Sequence, residues 1–202
     1  MRISPNFTFL SLLLLAPAAH AQLSAYVTFS PAHLSNIETG AVSTATGTTE
    51  QTASYWSSGI GGGITFPILH LPIVALNVDL RGSTRPGTNG VDSALVGLQL
   101  AVHPHVISLK PYIEVAGGYL NTRTTNVSTN PSTNQPVGGT FGNQYAAYEI
   151  LGGVDHPILP FIDWRIVEIG VGQGFNVPGI TTNGKTYNAT VVTANTGLVI
   201  HF

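Results

Sequence analysis

The sequence contains no cysteine, which excludes both a disulfide framework and a thiolate metal site. Charge is almost as scarce. Lys, Arg, Asp and Glu make up 8% of the 202 residues, against roughly 25% in soluble domains. So few charges make a poor surface for water and a good one for lipid. The formal net charge of -2 leaves no basic patch to neutralise phosphates, so no nucleic-acid partner is expected. Long apolar runs are missing too, since nothing approaches the roughly 20 residues of a spanning helix. The other structure able to span lipid is a closed β-barrel, whose strands satisfy every backbone group.

What the chain does contain begins with an export segment. Arg2 supplies a positive start, Phe7 to Leu15 a short apolar stretch, and Ala19-His20-Ala21 a small-x-small cleavage site. These features predict a signal peptide over 1–21, leaving 22–202 as one domain.

From Leu23 the dominant signal is a period of two, as in strands with one apolar and one polar face. Leu23, Ala25, Val27 and Phe29 alternate with Ser24, Tyr26, Thr28 and Ser30. The same alternation recurs in seven later segments, through Trp56–Ile68, Val74–Leu80, Ala94–Val102, Ile113–Tyr119, Ala146–Val154, Ile162–Val171 and Val192–Phe202. In the seventh strand Ile162 and Trp164 share a parity that Ile169 and Val171 reverse, which predicts a β-bulge near Ile166 or Val167. Three short proline-bearing turns, at 67–72, 103–110 and 156–160, alternate with four stretches rich in Thr, Ser, Asn and Gly. Of these, 31–55 and 121–143 are read as long loops, 82–90 as a short one, and 176–188 as the last. The expectation is all-β: an eight-stranded antiparallel up-and-down barrel with short turns at one end and longer loops at the other.

Placed on that scheme, the aromatics fall into two bands. Phe29, Trp56, Tyr119 and Phe175 lie toward the loop end, and Phe66, Trp164 and Phe202 toward the turn end. Two girdles suit the two interfaces of a bilayer.

The final residues, Thr196-Gly197-Leu198-Val199-Ile200-His201-Phe202, form a strand that stops on an aromatic. With Gly152-Gly153-Val154-Asp155, Asp163-Trp164-Arg165 and Glu168, they resemble the eight-stranded bacterial outer-membrane β-barrel family, the OmpA/OmpX-type transmembrane domain. The resemblance spans the whole mature chain. It implies a bacterial outer-membrane location, termini in the periplasm, contact with outer-membrane lipid, and Gly197, Ile200 and Phe202 as a signal to the barrel-assembly machinery. Full-length OmpA-like proteins also carry a periplasmic peptidoglycan-binding domain, which is not expected here because the sequence ends on the barrel strand, so the resemblance does not imply attachment to the cell wall.

Seven charges face inward on this reading: Asp79, Arg81, Glu114, Glu149, Asp163, Arg165 and Glu168. Two carboxylates could serve as acid and base. An eight-strand barrel, however, is only wide enough to be filled by its own side chains, which favours a lumenal salt-bridge network. Arg165 is expected to be its hub, because a planar guanidinium can engage more than one carboxylate. With acids in excess, water or a protonated carboxyl is expected to complete the network.

His70, His103, His105, His156 and His201 collect at the turn end; imidazole suits an interface, and no metal site is expected. Gly59, Gly61 and Gly63 lie within a strand, so they are read as room for large neighbours rather than a phosphate loop. His33, with Ser30 and Ser35, has no fixed acid beside it, so neither catalytic residues nor a cofactor are expected. The reading is a structural or surface-contact protein that could meet an extracellular partner through 31–55 and 121–143. The alternatives are a porin-like small-solute channel and a soluble secreted, lectin-like module.

Overall fold

The computed structural model describes residues 23–44, 47–104, 107–129, 136–176 and 188–202. The expected signal peptide, His105 and most of the last expected loop lie outside them. Ten strands follow in order: β1 (Ser24–Phe29), β2 (Ala32–Thr44), β3 (Gly47–Ser57), β4 (Ile60–His70), β5 (Val74–Arg85), β6 (Asn89–Val102), β7 (Lys110–Thr129), β8 (Pro136–Leu159), β9 (Ile162–Asn176) and β10 (Asn188–His201).

Eight of them close a ring, β1-β4-β5-β6-β7-β8-β9-β10, sealed by antiparallel pairing of β1 with β10. At that seam Ser24 opposes His201 and Phe29 opposes Thr196, and the Phe202 N–H donates to the Leu23 carbonyl at 2.8 Å. Closure removes the free edge that an apolar last strand would otherwise present.

The two remaining strands correct the expectation of a loop over 31–55. Along β10, β1 covers Thr196–His201 and β2 covers Thr190–Thr193, so β1 and β2 are one long strand interrupted at Ser30 and Pro31. Opposite them β3 and β4 are likewise one strand, interrupted at Ser58 and Gly59. The segment is thus a hairpin continuing the first two barrel strands past the ring. The stretch 121–143 is corrected in the same way, since β7 and β8 stay paired from Lys110–Asp155 up to Thr129–Pro136. Beyond the ring the ladder of these hairpins rests on backbone hydrogen bonds, which require no apolar period. The expected loop over 82–90 shortens to the link between Arg85 and Asn89, with Gly87 at φ 121°. Two of the expected turns tighten as well, because β4 runs to His70 and β8 to Leu159.

The expected bulge is present. Val154 opposes Val167 but Asp155 opposes Arg165, leaving Ile166 unmatched. From the other side, β10 passes from Asn195–Glu168 to Gly197–Arg165. The bulge lets Arg165 and Glu168, three residues apart, both enter the lumen, where each is 1% exposed.

Candidate functional site

The lumen is where polar side chains converge, and three kinds of layer fill it. At the turn end Lys110 Nζ donates to Asp163 Oδ2 at 2.6 Å, and His201 Nε2 lies 2.8 Å from the same oxygen. The other ring nitrogen of His201 meets Ser24 Oγ at 2.8 Å. One imidazole therefore links β1 to β9 across β10, beside the closing seam.

Above it lies the ionic layer. Arg81 on β5 donates through Nε to Asp79 at 2.9 Å, through one terminal nitrogen to Glu114 at 3.1 Å, and through both to Glu168 at 3.2 and 3.0 Å. Arg165 on β9 reaches Asp155 at 3.1 Å and Glu168 at 3.2 Å. Its guanidinium lies 4.4 Å from the Tyr26 ring centroid and 4.9 Å from that of Tyr112, a cation–π arrangement. Glu168 also accepts from Tyr112 Oη and Asn195 Nδ2, both at 2.7 Å. Tyr26 and Thr65 donate to Asp79 at 2.6 and 3.0 Å.

The expectation for Arg165 is half met. It turns inward and holds two carboxylates, yet Arg81 engages three, and the two arginines meet on Glu168. Asp163 falls outside this layer, in the turn-end cluster. Glu149 is buried above it, facing Arg81 and Arg85 across the lumen. Sequence reasoning omitted Asp155, Tyr26, Tyr112 and Asn195 from the network. Their inward parity was the available signal, and their polar ends find charged partners only when the ring closes.

The large side chains fit because glycines face them. A Cβ on Gly153 would strike the Tyr112 ring, one on Gly97 the Glu114 carboxylate, and one on Gly63 the Tyr26 hydroxyl. Room for neighbours, expected of the β4 glycines, is thus met at Gly63. At Gly197 a Cβ would meet the Val27 carbonyl and Thr28, so this glycine permits close approach at the seam.

The third layer was not anticipated. Ala32, Leu34, Ile37, Val91, Leu120, Tyr145, Ala189 and Val191 form a buried apolar cluster at the hairpin end of the lumen. A smaller group, Leu95, Ala116 and Leu151, lies beneath it and explains the apolar residue on the inner face of β6. Leu34 and Ile37 come from the stretch taken as a loop. The inward parity of β1 continues through Ala32 and Leu34, then shifts at Asn36, whose φ is 59°, and Ile37 turns inward in its place. Between the ionic and apolar layers remains a cavity of about 30 Å³, lined by Arg81, Arg85, Glu149, Glu168, Thr193 and Asn195 among others.

Outside, the polarity reverses. Val96, Leu98, Ile113, Val115, Ile169 and Val171 are each more than half exposed. Phe29, Trp56, Phe66, Tyr119, Trp164 and Phe175 also point outward, as do Ile200 and Phe202. A ring with charge within and an apolar wall without inverts the plan of a water-soluble domain. The fold is an eight-stranded β-barrel of the outer-membrane type.

No family model and no curated protein matches the sequence. Among solved structures, the barrel is similar to Neisserial surface protein A, at 15% identity over 88% of this chain and 97% of that one, with a TM-score of 0.42. The N-terminal β-barrel domain of Pseudomonas aeruginosa OprF gives 11% over 90% and 99%, with a TM-score of 0.44. The outer membrane protein AlkL, solved in DMPC bilayers, gives 12% over 90% of each chain, with a TM-score of 0.43. No residue role passes from these proteins to this one.

Of the remaining sequence candidates, His70 and His103 stack at 5.8 Å, and His156 Nδ1 lies 3.2 Å from the Ser108 carbonyl. Among the described residues no three His, Asp or Glu side chains group as metal ligands. His33 packs against the Trp56 ring at 5.0 Å.

Proposed function

We propose that the protein is an integral outer-membrane barrel with a closed lumen, acting as a structural element or contact surface through the hairpins at 31–55 and 121–143. The observation that carries this reading is the inverted polarity. Thirty-three large hydrophobic side chains are exposed on the described residues, each by 37% or more. At about 1 kcal/mol for each half-exposed side chain, roughly 30 kcal/mol is realised only when lipid covers the wall. Folding in water would forgo that and still desolvate the ionic layer, against a net stability of about 5–15 kcal/mol for an ordinary domain.

The hairpins are assigned to the external side and the short turns and termini to the periplasm, because polar hairpins favour the aqueous exterior. In this reading Gly197, Ile200 and Phe202 address the assembly machinery. Deleting Phe202 is then expected to lower the folded fraction in the membrane. The layers in the lumen disfavour a small-solute channel.

Fractionation with a heat-dependent gel shift tests the reading. The folded protein should partition with outer membranes and migrate faster unheated than boiled. Recovery in the soluble periplasm without that shift would overturn it. Discrete openings in a planar bilayer would overturn the closed lumen.

A further inference from the structure

The short turns are not the polar caps that an aqueous compartment would favour. Leu69 lies at the end of β4 with Leu71 and Ile73 beyond it, Ile107 and Leu109 precede β7, and Ile158 and Leu159 end β8 with Phe161 leading into β9. All eight are exposed, by 39–55%. They are chemically unlike the other end of the wall. There the first outward polar positions are Thr84, Asp92, Asn121 and Gln144, with Thr84 donating to Asp92 at 2.8 Å and Arg123 paired to it at 2.7 Å.

Strand length says what covers them. The outward face is free of polar side chains from Val74 to Gly82 on β5, Ala94 to Val102 on β6, Pro111 to Tyr119 on β7 and Ala146 to Val154 on β8. Each stretch is eight steps long. At about 3.3 Å per step and a tilt near 40°, it rises only ~20 Å along the barrel axis. The apolar band of an outer-membrane barrel is about 25 Å tall. On these four strands the missing ~5 Å does not come from the hairpin end, where the next outward residues are Thr84, the Asp92–Arg123 pair, Asn121 and Gln144. It is available at the turn end, directly continuous with the wall. Polar groups there are mainly imidazoles, suited to an interface by an apolar body with a polar edge. His70 and His103 stack on each other, His156 faces the Ser108 carbonyl, and Lys110 folds inward onto Asp163.

We infer that the three turns are seated in the inner-leaflet lipid, completing the apolar band, rather than projecting into the periplasm. This rests on the outer-membrane reading and adds the depth at which the barrel sits.

The absence of cysteine allows single spin labels to be placed cleanly. The mature chain carrying Leu71→Cys, Leu109→Cys or Ile158→Cys is labelled with a nitroxide and reconstituted in phosphatidylethanolamine/phosphatidylglycerol vesicles. Folding is confirmed by the heat-dependent gel shift. Val96→Cys marks the mid-wall and Thr88→Cys the aqueous hairpin end. Power-saturation measurements then compare collisions with oxygen, which concentrates in lipid, and with a water-soluble nickel chelate. Labels at the turns are expected to resemble the one at Val96, with oxygen access several-fold above nickel access. Turn labels as open to nickel as the one at Thr88, with Val96 still in lipid, would overturn the seating alone. If the same labels became protected only in native membranes, the turns would be covered by a periplasmic protein, and the inference would also fall. A nickel-accessible label at Val96 would overturn the barrel reading itself.

Discussion

Replacing Arg81 with methionine should test whether the lumen is dry. The substitution roughly conserves length while removing four hydrogen bonds, one to Asp79, one to Glu114 and two to Glu168. Only Glu168 keeps a cation, Arg165 at 3.2 Å. Asp79 retains Tyr26 and Thr65 as donors, whereas Glu114 is 1% exposed and loses its ion pair. Breaking a buried pair by removing one partner costs about 3–5 kcal/mol, chiefly from the charge left behind. With a urea dependence of about 2 kcal/mol per molar, the unfolding midpoint should fall by roughly 2 M. The assay is urea unfolding of the refolded barrel in vesicles, followed by Trp fluorescence and the gel shift. If stranded charge is the cause, the triple variant Arg81→Met/Asp79→Asn/Glu114→Gln should recover more than half of the loss. A single variant within ~1 kcal/mol of the parent would refute the reasoning, since water would then be screening the layer as it screens a surface pair.

Three further outcomes follow from the other layers. Leu34→Ala should destabilise by about 2–5 kcal/mol, as for a core leucine, whereas Leu98→Ala on the lipid face should cost clearly less; equal losses in urea unfolding would contradict the apolar layer. Gly153→Val should cost about 1–3 kcal/mol or more by forcing the Tyr112 ring off Glu168, and Gly153→Val/Tyr112→Ala should recover part of it in the same assay. On the hairpin above the wall, burial first and then the neighbouring Tyr145 push the Tyr55 hydroxyl up to about 12. An acid raised in the folded state contributes stability that is full below its ordinary value near 10 and is lost as pH rises toward 12. Proteolysis of the hairpin should therefore accelerate across pH 10–12, and Tyr55→Phe should flatten that dependence.

The wall was legible because lipid and lumen impose opposite demands on alternate residues, so parity alone assigned Leu98 outward and Gln99 inward. The bulge was legible for the same reason, since Ile169 could face lipid only if one residue near Ile166 dropped out of register. The hairpin extensions carried no such signal. Thr48 and Thr49 pair with Ser43 and Val42 through backbone groups that any side chain permits. The hub was hidden by geometry of another kind. Arg81, Glu114 and Glu168 lie on β5, β7 and β9, strands that never pair with one another, so they meet by spanning the lumen. Strand register predicts neighbours along the wall, but partners across the bore depend on side-chain length and on which glycines give way.

The two layers that fill the lumen are built from different parts of the chain. The ionic layer is held by β5, β7, β8 and β9 of the ring itself. The apolar layer draws Leu34 and Ile37 from a hairpin that meets the ring through Ala32–Ser35 on β10 and through its packing on the mouth. That attachment adds four paired residues on β10 to the six of the closing seam, so the segment that supplies the apolar layer also lengthens the pairing that shuts the barrel. Below the cavity beside Glu149 and Asn195, the two arginines and their carboxylates span the bore without any contribution from the hairpin. The arrangement thus stacks an apolar layer drawn partly from the hairpin on an ionic layer drawn wholly from the ring.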